Sequence, residues 1–109
     1  MSRAKGDAAE SRACEYLSTN GYTIVQRNFY SRFGEIDIIA FKDEVLHFVE
    51  VKSGEEYESA VQNITPQKMS RVLRTADVYI KKNALECAYV YDAIIVTPAS
   101  IDMIENITF

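Results

Sequence analysis

Cysteine is scarce: Cys14 and Cys87 are the two in 109 residues, and they make neither a zinc spacing nor a disulfide framework. With one histidine, His47, no Cys/His cluster points to zinc. Long apolar runs are missing too. The longest mostly apolar stretch, Tyr89 to Val96, is broken by Asp92 and falls far short of a membrane span. Met1 to Asp7 lead into no apolar segment of the secretory kind. No internal repeat, low-complexity tract or linker is visible. These absences predict a cytoplasmic chain, off the membrane, folded as one domain over residues 1–109. At 48% hydrophobic residues the composition is that of a globular protein.

The net charge of -4 runs against a nucleic-acid partner, because phosphate contacts usually come from a basic surface. Its distribution says more. Residues 1–34 carry five basic and three acidic side chains, and 35–64 carry two basic and eight acidic. Residues 65–83 carry five basic and one acidic, and 84–109 carry four acidic and no basic. Acid is concentrated in the middle, between two basic segments. A solvated loop accounts for much of that block but not all of it.

The chain opens with a predicted helix from Arg3 to Thr19, with Ser2 as its N-cap and Asn20-Gly21 as its stop. Strands are predicted over Tyr22–Phe29, Glu35–Phe41 and Leu46–Lys52, the last two joined at Asp43-Glu44. Apolar residues on both faces of those two strands predict a sheet covered by helices on either side. Ser53 to Thr65 reads as a loop with at most one helical turn. Thr65-Pro66 starts a second helix with a stripe at Met69, Val72, Leu73, Ala76 and Ile80. Tyr89–Thr97 and Ile101–Ile107 are the last strands. The expected fold is α/β, in the order α-β-β-β-α-β-β, with a mixed sheet flanked by helices.

The useful question is where the middle acids point. In a hairpin centred between Asp43 and Glu44, paired residue numbers sum to 87, so Asp37 faces Glu50. Their Cβ atoms are then ~4.5–5.5 Å apart, where like charges destabilise a sheet. Lys52 shares that face, as do Ile39, Phe41, Leu46 and Phe48, so the surroundings are expected to be apolar. Two carboxylates pressed together there must share a proton or hold a cation. Glu10 adds a third, because it lies on the Ala13, Cys14, Leu17 stripe of the first helix. Asp37, Glu50, Glu10, the Val51 backbone carbonyl and water make a hard-oxygen set suited to Mg²⁺ or Mn²⁺. Such a metal polarises a phosphoryl oxygen and acidifies a water, with Lys52 placed to orient that water or offset developing charge. Glu35 ranks below Asp37 as a ligand. The bland alternatives are a slipped register, with one acid facing solvent, and ordinary ion pairs from Lys52 to Glu10 or Glu35.

These residues carry a resemblance. Glu10, then Gly34-Glu35-Ile36-Asp37, then Phe48-Val49-Glu50-Val51-Lys52 resemble the PD-(D/E)xK nuclease superfamily in its Asp…Glu-x-Lys form. More closely, the chain is similar to the YraN-type family of small uncharacterised bacterial proteins. The matching positions are Ala9-Glu10, Gly21-Tyr22, Arg27-Asn28, Gly34 to Asp37, Val49 to Lys52 and Lys68. The resemblance implies a restriction-endonuclease-like fold and a metal-dependent nuclease site on Glu10, Asp37, Glu50 and Lys52. The leading expectation built on it is an endonuclease or nuclease-like protein acting on DNA, branched or damaged structures included. A homodimer is one way for so small a domain to reach both strands. Gly54 stands where the family often has an arginine, and Glu55, Glu56 and Glu58 repel a phosphate backbone passing there. Both favour an alternative, a nucleic-acid-binding module of the same fold with weak or lost catalysis. A third reading is an interaction domain with no nucleic acid at all.

For a phosphate, Gln67, Lys68 and Arg71 offer the first turn of the second helix. Lys68 in that place opposes the helix dipole at a cost of ~0.3–1 kcal/mol. Arg27 and Arg32 are further candidates. A solvated basic face continuing through Arg74, Lys81 and Lys82 explains the same residues without a ligand.

Overall fold

The Asp43-Glu44 turn sets the register from which the rest follows. Both residues have positive φ, 52° and 64°, the backbone of a two-residue type I′ turn, whose twist matches that of the strands it joins. It connects β2 (Gly34–Lys42) to β3 (Val45–Ser53) with pairs running from Lys42↔Val45 to Ile38↔Val49. All five pairs sum to 87, as the spacing predicts. The computed structural model describes residues 3–107. It adds α1 (Arg3–Thr19), β1 (Thr23–Ser31), α2 (Tyr57–Val61), α3 (Pro66–Lys82), β4 (Ala88–Val96) and β5 (Ile101–Ile104). The five strands form one sheet in the order β1-β2-β3-β4-β5. β3 and β4 are parallel and the other neighbours antiparallel. The crossover between the parallel pair carries α2 and α3. The fold is therefore mixed α/β, with helices flanking a five-stranded sheet.

Each face of the sheet has its own apolar cluster. Ala9, Ala13 and Leu17 of α1 pack with Ile38, Ala40, Val49, Val51, Ile94 and Val96. Met69, Val72, Ala76 and Tyr79 of α3 pack with Phe29, Ile36, Ile39, Leu46 and Phe48. Fully burying an Ile, Leu or Phe stabilises by ~1.5–3 kcal/mol each. These two layers hold both helices in place.

The helix ends follow local chemistry. The Thr65 side chain accepts from the Lys68 N–H at 3.2 Å, with Pro66 next in line, a cap worth ~1 kcal/mol. At the end of α1, Gly21 takes φ 88° and the Tyr22 N–H returns to the Leu17 carbonyl. The Ser2 cap expected for α1 lies outside the described residues. No helix among the described residues is long and apolar enough to cross a membrane.

Three expectations are corrected. The element order gains α2, because Ala60 is buried against the Gly54 backbone and its N–H returns to the Glu56 carbonyl. β5 stops at Ile104, short of Ile107. There Asn106 takes φ 53° and donates its N–H to Asp92 Oδ1, while the Ile107 N–H donates to the Tyr91 carbonyl. The third correction concerns Asp37. Ile38, Ile39 and Ala40 alternate between the two clusters as a regular strand should, but Ile36 joins the α3 side with Ile39 rather than the α1 side with Ile38. Alternation breaks at Asp37. Across from it on β1, Asn28 has φ 54°, between the regular pairs Arg27↔Ile38 and Phe29↔Ile36.

Candidate metal centre

The break in β2 decides where the acid goes. On a regular strand Asp37 would stand with Ile39, Phe41, Leu46 and Phe48, the apolar surroundings expected from parity. Those residues pack instead with the α3 layer, and the Asp37 carboxylate reaches α1. Single oxygens of Glu10, Glu35 and Asp37 all lie within 4.8 Å of one another. The β2–β3 ladder also ends one pair early, at Ile38↔Val49. In place of the next rung, Asp37 Oδ2 accepts the Val51 N–H at 2.8 Å. In an extended strand the N–H and C=O of one residue point the same way, so the Val51 carbonyl opens to the same side.

Asp37 is 8% exposed. Burial, then the nearby Glu50 charge, push its pKa up from 3.8 to about 9, against the opposing effect of the Val51 N–H. Glu35 and Glu50 add to the rise as hydrogen-bond partners that favour its protonated form. Glu10 is also 8% exposed, and burial raises its pKa, with Arg27 opposing and Glu35 reinforcing. Arg27 Nη2 stands 3.6 Å from Glu10 Oε1, too far for a hydrogen bond. That buried oxygen has no hydrogen-bond partner among the described residues. An orphaned carboxylate oxygen beside other carboxylates is costly unless a cation takes it up.

Lys52 Nζ lies 3.1 Å from Glu50 Oε1, so the lysine pairs with the acid two residues before it rather than with Glu35 or Glu10. Four carboxylates (Glu10, Glu35, Asp37 and Glu50) thus face two cations, Arg27 and Lys52. With all four ionised, two negative charges remain, the amount one divalent ion neutralises. Every donor is a hard oxygen, which fits Mg²⁺ or Mn²⁺ and not a thiolate- or imidazole-seeking metal.

The phosphate candidates divide. Arg27 is engaged with Glu10. Gln67, Lys68 and Arg71 are exposed on the first turns of α3, and Arg32 lies over the Phe33 ring at 4.8 Å. One of the acids gains weight, and one residue beside them carries a role that strand periodicity does not show. Glu35, ranked below Asp37 as a ligand on sequence grounds, belongs to the acid group on equal terms with it. Asn28 takes left-handed backbone beside Asp37, and its side chain works against the rise in the Glu10 pKa; an asparagine inside a β-rich segment was the hint, since Asn tolerates left-handed backbone.

Comparison with known sequences agrees with the motifs. The model of the uncharacterised protein family UPF0102 matches residues 9–96. A UPF0102 protein of Sulfurimonas denitrificans is 67% identical over 108 residues, covering 99% of each chain. Relatives in Aliarcobacter butzleri and Helicobacter pylori are 49% and 48% identical, covering 99% and 98% of this chain and 99% and 93% of their own. The YraN-type likeness read from the motifs therefore holds at the level of the family: the chain belongs to the uncharacterised protein family UPF0102.

Proposed function

We propose that this protein is a metal-dependent phosphodiesterase acting on DNA, a PD-(D/E)xK-type nuclease with a restriction-endonuclease-like fold. The observation that carries the proposal is the crowding of Glu10, Glu35 and Asp37 oxygens within 4.8 Å, with Glu50 and Lys52 alongside. Glu10, Asp37, Glu50 and the Val51 carbonyl would hold Mg²⁺ or Mn²⁺, joined by Glu35. When bound, such an ion polarises a phosphoryl oxygen and acidifies the attacking water. The Val51 N–H keeps the Asp37 carboxylate oriented, and Arg27 does the same for Glu10. Lys52, steadied by Glu50, offsets the charge that builds on the phosphate during attack. A cytoplasmic location, substrates with branched or damaged structure, and a homodimer with one site per strand belong to the same reading.

The test is cleavage of duplex, single-stranded and branched DNA with Mn²⁺, comparing wild type with Asp37→Asn. Losing ~3 kcal/mol of metal-derived stabilisation lowers the rate roughly 10²-fold. Equal inactivity of both proteins on every substrate sinks the enzyme. A second reading, a binding module with lost catalysis, is favoured by Gly54 and by the exposed Glu55, Glu56 and Glu58 just beyond Lys52. It expects salt-sensitive DNA binding that survives Glu50→Gln, without cleavage.

A further inference from the structure

The cations of this acidic protein are not spread evenly among its acids. Arg27 pairs with Glu10, Lys52 with Glu50, and Lys81 with Asp77 at 2.9 Å. Arg12 Nη1 donates to the Thr97 carbonyl and Lys42 Nζ to the Asn20 carbonyl. Among the described residues, Arg32, Lys68, Arg71, Arg74 and Lys82 make no ion pair, and all five are exposed; Lys82 sits at the far end of α3, over the Phe29 ring. The other four gather in one place. Lys68, Arg71 and Arg74 recur every three residues along one side of α3. The β1–β2 turn that bears Arg32 is clamped to that helix, with Ser31 Oγ 2.9 Å from Thr75 Oγ1. A Cβ built on Gly34 would meet the Arg71 Cβ at 3.4 Å. The guanidiniums of Arg32 and Arg74 both lie over the Phe33 ring, at 4.8 and 5.8 Å from its centroid.

Two guanidiniums on one ring repel each other, and the ring's attraction, ~0.5–1 kcal/mol each at exposed sites, does not supply the missing counter-charge. None of the chain's 16 acidic residues forms an ion pair with these four among the described residues, so an incoming polyanion meets no competing carboxylate here. Gly34 ends this cationic turn, and the next residue, Glu35, belongs to the carboxylate group.

We infer that Arg32, Lys68, Arg71 and Arg74 form the track for the phosphodiester backbone of a nucleic-acid strand, which leads past Gly34 to the carboxylates. The inference rests on the proposed nuclease reading for what the polyanion is. Planar guanidiniums match phosphate oxygens in pairs. Because the Phe33 ring is occupied by arginines, it stacks on no base, and contact along the track is independent of sequence.

The test is binding of a labelled DNA duplex and of its single strand in EDTA across a salt series, read by fluorescence anisotropy. Four phosphate contacts give a slope of log affinity on log salt of about -3.6 for duplex and about -2.8 for a single strand. Arg71→Gln and Arg74→Gln each reduce its magnitude by about 0.9 on duplex. Lys81→Gln, the same charge change on the same helix but at a residue paired with Asp77, leaves it alone. Melting temperatures check that each exposed substitution leaves the fold intact. A wild-type slope in the Arg71→Gln/Arg74→Gln double variant overturns the track, and so does an absence of binding at low salt. Equally tight binding of phosphatidylserine vesicles replaces the nucleic acid with a membrane surface. Because EDTA removes the metal, these results do not depend on cleavage; failure of the metal site appears separately, as a melting temperature indifferent to Mn²⁺.

Discussion

Two buried aspartates in neighbouring parts of the sheet have opposite company. Asp92 on β4 is fully buried, and both of its oxygens face donors: Oδ2 lies 2.5 Å from His47 Nδ1, and Oδ1 accepts the Asn106 N–H at 2.7 Å. Asp37 on β2 accepts one backbone N–H and otherwise meets Glu10, Glu35 and Glu50. A carboxylate that serves the fold is buried with its donors, whereas one kept for a ligand is buried among its own kind. The first arrangement ties the segment after β5 back onto β3 and β4. The second costs stability until something positive arrives.

The comparison breaks most visibly at Asp92. Asp92→Ala strands the His47 ring and the Asn106 N–H, and is expected to destabilise the protein by ~3–5 kcal/mol in urea unfolding, with or without Mn²⁺. A loss under 1 kcal/mol would mean that the pair is ornamental.

Metal should act on the other side only. Saturating Mn²⁺ at about 100 times its dissociation constant stabilises the native state by ~2.7 kcal/mol, and Asp37→Asn removes most of that gain while Asp92→Asn leaves its size unchanged. The gain depends on pH. The folded chain holds a proton on Asp37 up to about 9 while the unfolded chain releases it near 3.8, so binding must displace that proton. Affinity measured by titration calorimetry is expected to rise about tenfold per pH unit below that value, and a pH-independent affinity would refute it.

The smaller effect is in the metal-free protein. Between 3.8 and about 9 the native state binds more protons than the unfolded one, so stability falls as pH rises through that window. Asp37→Asn, which needs no proton, should flatten that fall and stabilise the chelated protein at pH 7 by at least about 1.4 kcal/mol, the worth of one pKa unit. Chemical denaturation at pH 5, 7 and 9 checks both. If Asp37→Asn destabilises at all three, the acid cluster is a structural network.

Much of the site was legible because hairpin register is a matter of counting. Once Asp43 and Glu44 are the turn, Ile38↔Val49 follows, and Asp37 and Glu50 come next. Glu10 was legible for a similar reason, since 3.6-residue spacing puts it beside Ala13 and Leu17 on the buried side of α1. The face of Asp37 was not legible. Period-two alternation put it with Ile39 and Phe48, and the one local hint, an asparagine at position 28 in a β-rich segment, does not say that β2 breaks opposite it at Asp37. Nor does spacing reveal that Asp92, an interruption in an apolar run, meets a histidine that is 45 positions earlier in the chain.

From the amino-acid order alone came the elements, their order to within one short helix, the hairpin register and the residue types able to hold a hard cation. These depend on neighbours a few positions apart, whose geometry the backbone dictates. Only the tertiary structure decided which carboxylates share a pocket, which arginines are engaged and which stand free, and which buried acid is satisfied. Those outcomes turn on a kink in one strand and on contacts between distant segments, where a few ångströms separate a salt bridge from an orphaned charge.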